Sequence, residues 1–256
     1  MRPDTAAATL RRARDTRRTI APFTDTDPSL DEQWGHDVQA LDRRWREEHG
    51  QTVVGAKLGL TSAAKQQRMQ VDQPIVGFLT DAMRVEADGL ADASRGWAQP
   101  RIEPEIAFVT ATAISSPLTL TEAARVVDAV SVAAEVIDSR YEGYRFRLPD
   151  VVADNTSAAG FLLGHPVRLT DLDDLVGIRG ELEVDGQVVD TATGAAILGH
   201  PLLALVQLSE HLGRQGQTLP AGSIVLAGAL TDAVPLAPGT RYTVRMGALG
   251  SLTAEA

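Results

Sequence analysis

Glu135 lies within AVSVAAEVIDSRY (129–141), a nearly continuous apolar run in which an ionised carboxylate without a partner costs several kcal/mol. Any fold adopted by this chain must bring compensation to that side chain, as a proton, a basic group or a bound cation. RIEPEIAFV (101–109) supplies two more acids. As a strand it places Arg101, Glu103, Glu105 and Ala107 on one face and Ile102, Pro104, Ile106 and Phe108 on the other, because successive side chains alternate. Pro104 removes a backbone donor but leaves the alternation intact. Glu103 and Glu105 thereby become repelling neighbours, unless they are solvated, share a proton or flank a cation. Alone, the pair reads equally well as a wet strand edge; Glu135 makes a cation the better explanation.

The chemistry of such a site is limited by what the chain lacks. It has no cysteine, which excludes disulfides, thiolate metal sites and a cysteine nucleophile, and it has no histidine-rich cluster. Three carboxylates then form a hard, oxygen-only site that suits Mg²⁺ or Mn²⁺ better than Zn²⁺. A net charge of -10 argues against nucleic acid, whose binding needs clustered Lys and Arg. The N-terminal MRPDTAAATLRRARDTRR has no apolar secretory stretch, and no later run approaches the roughly 18 apolar residues of a membrane span. A cytoplasmic protein without a membrane partner is expected.

Lys57 and Lys65 are the only lysines among the 24 basic residues. Lys57 occupies the strand-like start of GAKLGLTSAAKQQRM (55–69), which ends at Thr61 and Ser62, either able to cap a following helix. Near a metal-bound substrate its ammonium could stabilise an enolate or relay a proton; otherwise its stem simply covers apolar surface. ADNTSAAG (153–160) is a polar cluster that could bind a carboxylate or form turns. Asp138 points away from Glu135 and is expected to pair with Arg140. His165 and His200 each precede proline and read as structural, and no G-x-S-x-G turn or phosphate-binding glycine pattern is present.

The first fifty residues read as helical. Ser29 and Glu32 form a potential capping box for a helix from about Leu30 to Glu48, buried through Trp34, Val38, Leu41 and Trp45. From Val53 onward, short apolar runs between Gly, Pro and Asp predict strands with interposed helices. ELEVDGQVVD (181–190) predicts a hairpin turning at Asp185-Gly186, and PLLALVQLSEHLGRQG (201–216) a helix with Pro201 in its first turn. The division expected is residues 1–50 as a helical part packed on a mainly β core, residues 51–256.

Together KLGLTS (57–62), PIVGFLTD (74–81), RIEPEIAFV, EVIDSRYEGYRF (135–146), VVADNTSA (151–158), LGHPL (198–202) and LPAGSIVLAGALTDAV (219–234) resemble the 4-oxalocrotonate decarboxylase and 2-hydroxypentadienoate hydratase group of the fumarylacetoacetase superfamily. The resemblance implies an α+β fold, with a helical N-terminal part on a fumarylacetoacetase-like core whose mixed sheets form a roll or sandwich. It implies Glu103, Glu105 and Glu135 as ligands of Mg²⁺ or Mn²⁺ and Lys57 as the catalytic lysine. Thr61, Ser62, Asp154, Asn155 and Thr156 then contribute to binding a small 2-oxo acid. The decarboxylase branch is favoured, because Ile75 stands where hydratases commonly carry Asp. The implied reaction takes 2-oxohex-3-enedioate to 2-hydroxypenta-2,4-dienoate through a dienolate. Hydration of 2-hydroxypenta-2,4-dienoate, recruitment to a biosynthetic pathway, or a non-catalytic partner role are the alternatives. The partners implied are a second copy of the chain or a hydratase of the same pathway. One departure is Ala227-Gly228-Ala229, where the group often has Thr-Gly-Gly or Thr-Gly-Thr.

Overall fold

The structure, a computed structural model, describes every residue except Gln70 and Asp173. Two helices, α1 (Pro3–Thr16) and α2 (Glu32–Glu48), precede β1 (Val53–Gly59), α3 (Ala63–Met69) and β2 (Ile75–Thr80). Next come α4 (Leu90–Ser94), β3 (Arg101–Thr110), α5 (Leu120–Arg125), β4 (Val127–Ile137) and α6 (Leu148–Ala153). Strands β5 (Ala158–Leu163), β6 (Val167–Arg168), β7 (Arg179–Val184) and β8 (Gln187–Thr193) lead to α7 (Leu203–Arg214). The chain ends in β9 (Ile224–Ala229), β10 (Val234–Pro235), β11 (Arg241–Met246) and β12 (Ser251–Glu255).

The larger sheet has the order β2-β1-β9-β3-β4-β5, with β10 added to β3 and β6 to β4. It is mixed, since β1 and β9 run parallel while the other pairs are antiparallel. The smaller sheet, β12-β11-β7-β8, is antiparallel throughout. Alternation along the strands separates two apolar environments. Ile102, Ile106, Val130, Val132 and Val225 pack with Leu182, Val244 and Met246 of the smaller sheet and Leu205 and Leu208 of α7. Ala107, Ala133, Phe161 and Leu226 face the other way, onto Phe78 and Leu79. Glu103, Glu105 and Lys57 share the parity of this second face.

The expected hairpin is present, Asp185 and Gly186 both adopting positive φ (49° and 78°) as a two-residue turn of this type requires. Helix α2 departs from expectation at its start. Its cap is Asp31, which accepts from Trp34 N at 2.9 Å, while Ser29 hydroxyl donates to Asp27 instead of closing a box with Glu32. Its buried face also differs: Trp45 is only half-buried, stacked on His49, and the Asp42 and Arg46 ion pair is buried in its place. Pro201 sits just ahead of α7 and not within its first turn.

Helices α1 and α2 bury Ala6, Ala7, Leu10, Trp34 and Val38 against Phe23, Tyr141 and Ala153. Gly35 allows α2 to lie directly on α6, since a Cβ there would come within 2.7 Å of Pro149 carbonyl oxygen. No helix among the described residues is long and apolar enough to cross a membrane.

Candidate metal centre

Glu103 in β3 stands directly opposite Glu135 in β4, and Glu105 lies one same-face step along β3. One carboxylate oxygen from each of the three falls within 4.8 Å of the others. Lys57 Nζ lies 3.1 Å from Glu135 Oε2, although β1 and β4 are three strand spacings apart in the sheet. Flat, those strands would be about 14 Å apart at about 4.8 Å per spacing. The sheet therefore curls around this face and focuses the four charged groups on one point.

Water is nearly excluded: Glu105 and Glu135 are 0% exposed, Lys57 3% and Glu103 7%. Glu105 Oε2 accepts from Gly228 N at 2.8 Å and Glu135 Oε2 is paired with Lys57, but Glu105 Oε1 and Glu135 Oε1 have no hydrogen-bond partner among the described residues. Three carboxylates against one ammonium leave an excess of negative charge. Orphaned, buried carboxylate oxygens converging on one point are what a hard divalent cation satisfies, so the donor set fits Mg²⁺ or Mn²⁺.

Burial, opposed by Lys57 and reinforced by Glu103, pushes Glu135 up to about 7. Burial and then the charges of Glu135 and Glu103 push Glu105 well above the usual carboxylate range. Burial alone would pull Lys57 down, but Glu135, Glu103 and Glu105 hold it above the ordinary lysine value. The glutamates have a pH consequence in the metal-free protein. Unfolded, they release protons near 4.5, whereas folded Glu135 keeps its proton to about 7. The folded state thus binds more protons in that window, and stability falls as pH rises through it. Urea unfolding in chelator is expected to show the protein about 3 kcal/mol less stable at about pH 8 than at about pH 5. A divalent cation should cancel most of that loss.

Other side chains singled out from sequence are distributed unevenly around this point. Thr156 is beside Lys57, its carbonyl accepting from Nζ at 3.2 Å and its buried hydroxyl lacking a partner among the described residues. Thr61 packs on Gly228, where a Cβ would lie 2.1 Å from Thr61 Oγ1, so glycine alone fits at the position whose amide bonds Glu105. Ser62 caps α3, accepting from Lys65 N at 3.3 Å. Asp154 and Asn155 make their hydrogen bonds to the framework around the centre. Asp154 is held by the Arg140 guanidinium and by Arg140 N, while the Asn155 amide bonds Phe78 N and O, both at 2.9 Å. Arg140 is therefore taken by Asp154 and not by Asp138, which accepts from Ala98 N and Gln99 N. His200 Nδ1 accepts from Leu202 N, a structural role, and His165 is exposed. Ala227 is fully buried in the apolar layer facing the smaller sheet, so its missing hydroxyl concerns packing there.

Gly228 and Gly77, which no motif in the sequence marks as site residues, also belong to the centre. A Cβ on Gly77 would lie 2.4 Å from Thr156 Oγ1. Their signal was a glycine inside a strand, which marks close approach of another group.

This curled mixed sheet with its acid-lined face is that of a fumarylacetoacetate hydrolase-type enzyme: the chain belongs to that family, matching its profile, Fumarylacetoacetate (FAA) hydrolase C-terminal, over residues 52–255. The family drawn from the motifs and the α+β class are both borne out, the sheets being open. Among its relatives, the 4-oxalocrotonate decarboxylase of Pseudomonas sp. (strain CF600) is 41% identical over 238 residues, 92% of this chain and 89% of that protein. The 2-keto-4-pentenoate hydratase of Burkholderia vietnamiensis (strain G4 / LMG 22486) is 39% identical over 250 residues, 97% of this chain and 95% of that protein. The structure of 4-oxalocrotonate decarboxylase from Pseudomonas putida G7, complexed with magnesium and adipate, superposes with a TM-score of 0.92 at 37% identity, covering 98% of this chain and 95% of that one.

Proposed function

We propose that this chain is a Mg²⁺- or Mn²⁺-dependent decarboxylase of a small unsaturated 2-oxo dicarboxylate such as 2-oxohex-3-enedioate, yielding 2-hydroxypenta-2,4-dienoate and CO₂. The observation that carries the choice of reaction is Ile75. It is buried and shares the Lys57 face: a Cβ placed on Gly59 would lie 3.1 Å from its Cγ1 and 3.8 Å from Lys57 Nζ. Ile75 packs with Leu60, Met69, Val151 and Val152. Adding water across an alkene needs an acid or base at the carbon that receives it. An aliphatic wall beside Lys57 supplies none, and it suits a carboxylate leaving as neutral CO₂.

Glu103, Glu105 and Glu135 would hold the cation, which when bound would supply a Lewis acid for the oxygens of the 2-oxo acid. The bond to the distal carboxylate breaks, and its electrons pass through the alkene to the ketone oxygen, giving a dienolate. Lys57 stabilises the charge developing on that oxygen, the type of electrostatic help that lowers such barriers most. Its ammonium then passes a proton to that oxygen to complete the enol and regains one from solvent water. Thr156 offers a hydroxyl without a partner among the described residues next to that ammonium, and Thr61 packs on Gly228, whose amide bonds Glu105.

Incubation with 2-oxohex-3-enedioate and Mg²⁺ is expected to release one CO₂ per substrate consumed, with activity lost in EDTA and restored by excess Mg²⁺. A hydratase, the alternative that the 39% relative keeps open, would convert 2-hydroxypenta-2,4-dienoate to a 4-hydroxy-2-oxo acid and release no CO₂. That outcome would overturn the decarboxylase reading and leave the metal centre standing.

A further inference from the structure

Lys57 ammonium has a second acceptor besides Glu135, the carbonyl of Thr156. Thr156 is the middle of three consecutive residues with positive φ, Asn155 (49°), Thr156 (51°) and Ser157 (62°). None is glycine, and each such residue costs about 1 kcal/mol or more, so the run persists only where its surroundings impose it. Asn155 ties it to the backbone of β2 through Phe78 N and O. Behind Asn155 stands Gln39 of α2, whose Nε2 donates to Val76 O at 2.9 Å and reaches Asn155 Oδ1 at 3.3 Å. Gly77, between those two β2 residues, lets the run pack against the strand itself. A continuous chain of contacts thus leads from α2 through Gln39, Asn155 and Thr156 to Lys57. Gln39 lies outside residues 52–255, the part that matches the family profile.

We infer that Gln39 is a positioning residue for Lys57, through which the N-terminal helices fix the site of the ammonium. The inference rests on the role proposed for Lys57, but its first readout does not. Gln39→Met keeps the length and helix preference of the side chain and removes both hydrogen bonds. Because the chain has two lysines, protein labelled with ¹³C at the lysine ε carbon gives two resonances, assigned with Lys65→Arg. Gln39→Met is expected to shift or broaden the Lys57 resonance and leave Lys65 unchanged. It should also lower kcat for CO₂ release by about tenfold to a hundredfold, the scale of a slightly misplaced catalytic group. KM and the Mg²⁺ half-saturation should stay within about twofold, since no metal ligand is touched. A Lys57 resonance identical to that of the unsubstituted protein would overturn the inference. A displaced resonance with unchanged kcat would support the link and overturn the catalytic role of Lys57. Should Gln39→Met fail to fold, Gln39→Glu, of the same shape but opposing two acceptors, makes the same test.

Discussion

Glu105→Gln is expected to lower decarboxylation by about a thousandfold or more while making the metal-free protein more stable at neutral pH. The two effects run in opposite directions for one reason. Glu105 is fully buried, close to Glu135 and Glu103, and burial and those charges push its proton affinity well above normal. Its Oε2 accepts from Gly228 N, a bond that the glutamine oxygen preserves. What glutamine removes is one of three clustered negative charges. Without a cation that removal is a relief, because the folded state no longer opposes ionisation there. With a cation it removes a ligand, so Mg²⁺ affinity by calorimetric titration should fall together with activity. A carboxylate serving only the fold would behave in reverse, with lower stability and unaltered metal binding.

Lys57→Met should lower activity by a similar factor, about a thousandfold, and yet tighten Mg²⁺ binding. The ammonium lies 3.1 Å from Glu135 Oε2 and competes with a cation for the same charge. Methionine fills the buried volume of the lysine stem but leaves Thr156 carbonyl without its donor. Breaking a buried ion pair from one side costs about 3 kcal/mol, and protonation of Glu135 offsets part of it. Titration with Mg²⁺ and single-turnover CO₂ release on the same preparation separate the two roles. Weaker metal binding by Lys57→Met would place the lysine in the scaffold of the centre and not in its chemistry.

The parts of this molecule legible in its sequence were those governed by local periodicity. Alternation in RIEPEIAFV fixes which side of β3 carries Glu103 and Glu105, whatever the rest of the chain does. Glu135 announced itself because a carboxylate in an apolar strand has few affordable environments. The Asp185-Gly186 turn followed from residue types that accept positive φ. The features missed depend on elements far apart in the chain. Nothing near Asn155 indicates that its amide serves the edge of β2, or that Arg140 turns to Asp154 when Asp138 is closer in sequence. On helix α2 a burial rule meets an ion pair: Arg46 is buried beside Asp42 and over the Phe78 ring of β2, which no count of apolar spacings reveals.

Glu103, Glu105 and Glu135 are expected jointly to hold one divalent cation at the point where the chemistry takes place. Crystals grown with Mn²⁺, with anomalous scattering recorded at the manganese edge, test it directly. One strong peak should lie among the three carboxylates, with an oxygen of each at about 2.1 Å, and it should disappear in Glu105→Gln. A peak elsewhere, or none at a Mn²⁺ concentration that gives full activity in solution, would contradict the assignment.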